Sequence, residues 1–329
     1  MNSKRRLALT TMAGVAAGSL LGASAARAQT PKPIGSVQVG SSVDASSASL
    51  LVGVRKGFFQ KHGVDATLKI FPSAQEALES VLTGQVDTTA NGPFNIPPVA
   101  ARGGKIRIIA ELERSEMQFG VAARAGIKQP SDLIGKKVGT QFNTSPDYYY
   151  RLYARKYGLD ESKITLVNVA FAQLVPALAK GDIDAFFAFE PLMTRAIDNV
   201  PGTTVIHRSG QDAVMPLLVY LGASERLYTN RPLAVAFLKG MVEAGDWANA
   251  NRDETASMIS AEFRIKPEDA RRFVGFFDYS VRWNRNSMEE LERVNRFMTE
   301  RKIVQQAPDL SAVVISDFLK EAVPSRVTP

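Results

Sequence analysis

Glu190 stands directly before Pro191, at the end of the apolar run Ala185-Phe186-Phe187-Ala188-Phe189. A residue before proline is biased toward extended geometry, so the run reads as a strand that delivers a carboxylate at its carboxyl end. Asp44, in the polar stretch Ser41 to Ser47 after the first strand, is a second acid at a strand end, whereas Asp87 and Asp184 stand at strand starts and read as caps or turn ligands. Paired carboxylates can exchange protons with a substrate or accept hydrogen bonds from its donors. The partners that catalysis would need are scarce. There are two histidines, His62 and His207, neither beside a metal-type partner, and no cysteine. There is also no Gly-x-Ser-x-Gly elbow, no Gly-x-x-x-x-Gly-Lys-Ser/Thr loop and no Gly-x-Gly-x-x-Gly turn. Hydrolase, nucleotide and dinucleotide chemistry lose their signatures, no metal or cofactor is expected, and the acids read as recognition groups.

The elements that position these acids repeat. Leu174 to Ala179 reads as a helix closed by Gly181, followed by Asp184, a strand and Pro191; Val81-Leu82, Gly84, Asp87, Thr88 to Ala90 and Pro93 follow the same order, with the two glycines 97 positions apart. Glycine supplies the positive φ that a helix end often needs. Two similar α/β units are predicted, each ending strands at a loop, and ligands bind outside the carboxyl ends of strands in open α/β sheets. Strands at 37–40, 63–70, 86–90 and 106–112 alternate with helices at 48–54, 74–82 and from 97, predicting a largely parallel sheet. Residues 113–118 read as a crossing to strands at 119–123, 137–140, 164–168, 185–189 and 205–207, and 215–222 leads back. The remainder reads as helices at 232–249, 253–263, 267–280, 288–302 and 311–322, a tail that covers the first unit. Two helix starts follow strands, one near Ser46 and Ser47 and one near Thr144, Ser145 and Pro146; such ends suit an anion. Tyr148, Tyr149 and Tyr150 are expected mostly to pack.

Residues 1–28 have a different character. Lys4, Arg5 and Arg6 precede an Ala- and Gly-rich apolar run from Leu7 to Leu21 and then Ala26-Arg27-Ala28, the order of a secretory signal with cleavage after Ala28, by the general or the twin-arginine route. With the 40 basic residues reduced by the four in this segment and the 33 acids unchanged, the net charge falls from +7 to +3. No basic run interleaved with aromatics remains, so nucleic acid is not an expected partner. Without cysteine, neither a lipid-anchored N-terminus nor a disulfide is available. A free, periplasmic chain with lobes at 29–114 plus 217–329 and at 115–216 is predicted.

The run Val54-Arg55-Lys56-Gly57-Phe58-Phe59 with Gly63-Val64-Asp65, the element Gly84-Gln85-Val86-Asp87, Asp132 to Gly139, and Gly181 to Ala185 through Glu190-Pro191 together resemble periplasmic substrate-binding proteins of ABC importers for nitrate, sulfonates and taurine, relatives of binders of thiamine-precursor pyrimidines. The resemblance implies a two-lobed fold closing over a small organic solute by a hinge, a monomer, and delivery to a membrane permease with its ATPase subunits. It also implies a pocket at the loop after the first strand, the loop near Asn91, the helix start at 143–145, and Glu190. Ser42, Asp44, Ser46, Ser47, Asn91, Gly92, Asn143, Thr144, Ser145 and Glu190 are therefore expected to line the cleft. Glu190 and Asp44 would repel a bare anion, which favours a ligand with donors, an aminosulfonate such as taurine or, alternatively, an aminopyrimidine or aromatic acid. Pyrimidine synthases and menaquinone-pathway lyases share the fold; the synthases use a cysteine-rich segment that this chain lacks.

Overall fold

The computed structural model describes residues 33–329; the expected leader and its cleavage site lie outside the described residues. The described residues form eleven strands: β1 (Gly35–Ser42), β2 (Val64–Phe71), β3 (Thr88–Asn91), β4 (Ile106–Ser115), β5 (Phe119–Ala123), β6 (Lys137–Thr140), β7 (Thr165–Asn168), β8 (Ala185–Phe189), β9 (Thr204–Arg208), β10 (Leu217–Ser224) and β11 (Phe277–Asp278). The helices are α1 (Ala48–Arg55), α2 (Ala74–Leu82), α3 (Ile96–Ala101), α4 (Ser145–Lys156), α5 (Phe171–Lys180), α6 (Leu192–Asn199), α7 (Glu225–Tyr228), α8 (Arg231–Ala250), α9 (Arg252–Phe263), α10 (Pro267–Val274), α11 (Arg285–Glu300), α12 (Leu310–Val313) and α13 (Asp317–Ala322). None of the described helices is long and apolar enough to cross a membrane.

The strands form two sheets, in the orders β11-β4-β10-β3-β1-β2 and β7-β6-β8-β5-β9. In the first, β1, β2 and β3 pair parallel, and β10 inserts antiparallel between β3 and β4, so that β1 to β4 all run one way. In the second, β6 lies parallel to β7 and β8, and β5 is antiparallel to both β8 and β9. Each lobe is thus a mostly parallel sheet with a return strand threaded through it. The chain enters the second sheet after Ser115 and leaves it after Arg208.

The two helix-glycine-strand elements are held the same way. Asp87 donates its backbone N–H to Gln38 O and accepts Gln38 N–H on its carboxylate, both at 2.7 Å. Asp184 does the same with Lys137, at 2.8 and 2.9 Å. Each aspartate therefore bonds both main-chain groups of the residue just before the first paired position of the neighbouring parallel strand, Gln38 before Val39 and Lys137 before Val138, which fixes register where the ladder begins. Gly84 and Gly181, at φ of 74° and 82°, provide the left-handed turn just before.

The tail departs from its predicted helices in two places, for one reason. The helix expected over 267–280 ends at Val274, and Phe277–Asp278 pairs with Ser115 and Arg114 of β4; the helix expected over 311–322 breaks between Val313 and Asp317, where Ile315 N–H reaches Ile108 O at 2.8 Å. Between these points Glu111 and Arg282 exchange backbone hydrogen bonds of 2.9 Å. The outer edge of β4 would otherwise present unpaired N–H and C=O groups, and three separate pieces of the tail satisfy it.

Packing follows burial of the apolar faces. Around the second sheet, Tyr148, Tyr149 and Tyr150 are all buried, and His207 sits against Tyr149, Tyr153 and Tyr157: Tyr149 Oη lies 2.6 Å from Nδ1 and Tyr157 Oη 2.9 Å from Nε2. Burial holds the His207 pKa below its usual value, so this histidine is a neutral core group. On α8, a Cβ added to Gly245 would lie 2.0 Å from Tyr279 O, a backbone atom. Gly245→Ala is expected to lower stability by about 2–3 kcal/mol despite alanine's better helix propensity, because overpacking outweighs it; an unchanged thermal midpoint would show that this contact yields freely.

Candidate ligand cleft

The first strand ends in a closed network of short polar side chains. Asp44 caps the 3₁₀ turn Ala45–Ser47 by accepting Ser46 N–H at 2.8 Å. It also accepts the Ser42 hydroxyl at 2.6 Å and the Ser46 hydroxyl. Ser42 and Ser47 are buried with their hydroxyls 3.0 Å apart. The helix start that the sequence offers to an anion therefore already holds a carboxylate of its own, and the serines orient that carboxylate.

The second expected helix start is different. Asn143 adopts φ of 63°, in the left-handed region that asparagine tolerates, and donates its N–H to Asp147 at 3.0 Å. The Thr144 hydroxyl turns back to Gln141 O at 2.5 Å, and no side chain caps α4. Ser145 and Pro146 open the helix, whose first-turn donors remain uncapped. Asn91, buried at the end of β3, points its amide to Ala74 O at 3.0 Å, and half-buried Gly92 follows it.

Glu190 is fixed from both sides. Arg208 Nη2 donates to its Oε1 at 2.6 Å, while the Thr194 N–H and hydroxyl donate to Oε2 at 3.0 and 2.9 Å. The peptide bond to Pro191 is cis. Arg208 also donates to Met117 O at 2.9 Å and lies over the Phe276 ring, 5.3 Å from its centroid. This ties β9 of the second sheet to the tail beside the first.

A cavity of about 480 Å³ lies between the loop after β1, the crossing residue Gln118, the end of β8 with α6, and the α9–α10 turn. Of the ten residues expected from sequence, Asp44 and Glu190 line it; Ser42, Ser46, Ser47, Asn91, Gly92, Asn143, Thr144 and Ser145 do not. The cavity adds groups that the sequence reading did not single out, above all Arg195 on α6 with Arg264 and Lys266 between α9 and α10. Among the described residues, none of these three cations has a carboxylate within 4.0 Å. Arg208 was detectable as a basic residue at the end of a strand. The α9–α10 turn carried no such signal, because its approach to α6 joins segments about 70 residues apart.

Residues 44–255 match the family model described as NMT1/THI5 like. The chain belongs to this family. Among its relatives, a putative binding protein of Brucella abortus is 27% identical over 231 residues, covering 69% of this chain and 71% of the relative. The taurine-binding periplasmic protein of Escherichia coli is 20% identical over 196 residues, covering 60% and 61%. Of the solved structures, the periplasmic aliphatic sulphonate binding protein SsuA of Escherichia coli superposes with a TM-score of 0.74 at 16% identity, over 85% of this chain and 92% of that one. The desulfurization enzyme DSZB has the same fold, with a TM-score of 0.66 at 16% identity over 88% and 99%. Family membership and the two-sheet architecture agree with the two-lobed binding fold inferred from the motifs.

Proposed function

We propose that this chain is the exported, extracytoplasmic solute-binding component of an ABC importer, and that it takes a small aminosulfonate of the taurine type between its lobes and presents it, as a monomer, to a permease with its ATPase subunits. The observation that supports this reading most is the charge arrangement of the 480 Å³ cavity, where the unpaired cations Arg195, Arg264 and Lys266 share one space with Asp44 and Asp198, while the other two lining acids, Glu190 and Asp269, are engaged by Arg208 and Arg272. A sulfonate matches guanidinium and ammonium donors, and an amine matches a carboxylate. The names of the taurine- and sulphonate-binding relatives lend the same ligand class. Glu190, engaged by Arg208 and Thr194, serves in this reading as a braced wall of the cavity, and Asp44 is the acceptor for the amine. The uncapped start of α4, with Asn143, Thr144, Ser145, Asn91 and Gly92 nearby in the chain order of the cleft, is proposed to join the site when the lobes close. The hinge is proposed near 115–118 and 209–216.

The test is a thermal-shift and calorimetric screen of protein beginning at Gln29 against taurine, alkanesulfonates, nitrate, aminopyrimidines and aromatic carboxylates. Taurine at about 100 times its Kd is expected to add roughly 2.7 kcal/mol of stability. Asp44→Asn is expected to weaken taurine about tenfold and to leave an alkanesulfonate lacking the amine nearly unchanged, the loss of one charge-assisted hydrogen bond. Equal losses for both ligands would remove Asp44 from amine recognition. The fold shared with DSZB keeps an enzymatic reading open to the same experiment: turnover of a hit would replace the transport reading.

A further inference from the structure

A second polar cavity, of about 220 Å³, lies between α4 and α11, apart from the ligand cleft. One stripe of α4 and one stripe of α11 face it, each with residues at helical spacing of three, four and seven: Tyr148, Arg151 and Arg155 from α4, with Arg293, Arg296 and Glu300 from α11. Four guanidinium groups thus converge on a space the size of a small ion and its hydration water. Two are compensated. Arg151 pairs with Glu161 and lies 3.5 Å from Asp147, and Arg293 donates to Glu290 at 2.7 Å and lies 3.7 Å from Glu289. Arg155 and Arg296 meet no carboxylate within 4.0 Å among the described residues, and Glu300, the one acid lining the cavity, pairs with neither.

Tyr148 supplies a neutral donor beside the arginines. The residue is 5% exposed and lines the cavity, yet its hydroxyl takes part in none of the hydrogen bonds among the described residues, although those of its neighbours Tyr149 and Tyr157 do. The hydroxyl opens onto the cavity and is free to donate there. Burial, the largest influence, keeps this phenol protonated by pushing its pKa up to about 12, so it stands as a donor.

We propose that this cavity binds a tetrahedral dianion of the phosphate class, inorganic phosphate or a phosphate monoester, with Arg155 and Arg296 as its two free guanidinium forks and the Tyr148 hydroxyl as a third donor. Guanidinium matches a phosphate edge with two parallel hydrogen bonds, and the dianion relieves the mutual repulsion of the arginines. The bound ion joins α4, whose first residues are expected at the cleft, to α11 of the tail.

The experiment is a titration of the intact protein with inorganic phosphate at constant ionic strength, followed by calorimetry and thermal shift, with chloride as the reference. Saturable binding is expected, abolished in Arg155→Gln/Arg296→Gln and weakened about three- to tenfold in Tyr148→Phe. Because removing like charges relieves repulsion, the double variant should fold with a thermal midpoint at or above that of the parent without phosphate; the single variant Arg155→Gln serves should the double one fail to fold. Taurine at saturation and Asp44→Asn should leave phosphate binding intact, which separates this site from the cleft. Sedimentation with vesicles of anionic phospholipid identifies the source: arginine-dependent co-sedimentation assigns a lipid headgroup, and binding of free phosphate alone assigns the soluble ion. No saturable phosphate binding, or binding that survives in the arginine variants, overturns the proposal.

Discussion

Arg208→Ala is expected to destabilise the protein by about 3–5 kcal/mol, the cost of leaving a buried carboxylate without its cation. The pair is well shielded: the Glu190 side chain is 1% exposed and that of Arg208 15%, with Nη2 and Oε1 2.6 Å apart. Thr194 continues to donate to the other carboxylate oxygen, but two neutral donors do not replace a guanidinium. The substitution also deletes the bond to Met117 O at the crossing between sheets and the stacking on Phe276. Urea unfolding should show a lower midpoint for Arg208→Ala, and Glu190→Gln/Arg208→Ala should recover part of the loss because it removes the stranded charge. If the single and double variants unfold alike, the penalty is lost packing and the ion pair is incidental. Under the proposed function, Arg208→Ala should also weaken the sulfonate at least tenfold, since an uncompensated Glu190 then lines the cavity that receives the anion.

That pair marks the boundary of what the sequence makes legible. Local signals suffice for the elements themselves. Ser73 before an apolar periodic run defines α2, predicted and found over Ala74–Leu82, and Gly181 ends α5 in the left-handed conformation. The repeat of glycine, aspartate and strand is legible for the same reason, since each aspartate bonds the residue where a parallel ladder begins and glycine must precede it. Cross-chain pairings have no such local mark. The insertion of β10 between β3 and β4, the use of the tail to cover the β4 edge, and the meeting of α6 with the α9–α10 turn all depend on sheet edges and helix faces from distant segments. The sequence therefore points to two of the four acids of the cavity, Asp44 and Glu190, which stand at strand ends, and misses Asp198, Asp269 and the three unpaired cations, which lie on helix surface and a turn. It also assigns Glu190 to a ligand because the pairing with Arg208, 18 residues away on another strand, is invisible until the sheet is assembled.

Glu113→Gln is expected to change how stability depends on pH. Glu113 lies near the end of β4, where the register with β10 shifts between Glu111 and Glu113 and Leu112 is the extra residue, a bulge that re-aims the side chain. It is fully buried; its one hydrogen bond, from the Ser49 hydroxyl, is long at 3.4 Å, and its Oε1 has no partner. Burial, then the nearby charges of Asp44 and Asp278, push its pKa well above the ordinary value of 4.5, against the modest lowering from Ser49. In the folded protein the carboxyl therefore holds its proton where the unfolded chain has released it. Such a group contributes its full stability below the unfolded pKa and loses it as pH rises toward the folded pKa, by about 1.4 kcal/mol per pH unit. Glutamine keeps the shape and has no proton to lose, so the difference in unfolding free energy between Glu113→Gln and the parent should grow in the variant's favour as pH rises from 4.5 toward the folded pKa, with a slope of at most about 1.4 kcal/mol per pH unit. Urea unfolding of both proteins at pH 4.5, 5.5, 6.5 and 7.5 measures it, and parallel curves would mean that Glu113 is ionised in the fold. The protonated state has a consequence for the cleft. With Glu113 neutral beneath α1, Asp44 and Asp198 are the acids without a cation partner in the cavity that also presents Arg195, Arg264 and Lys266, a set that offers donors to a sulfonate and acceptors to an amine.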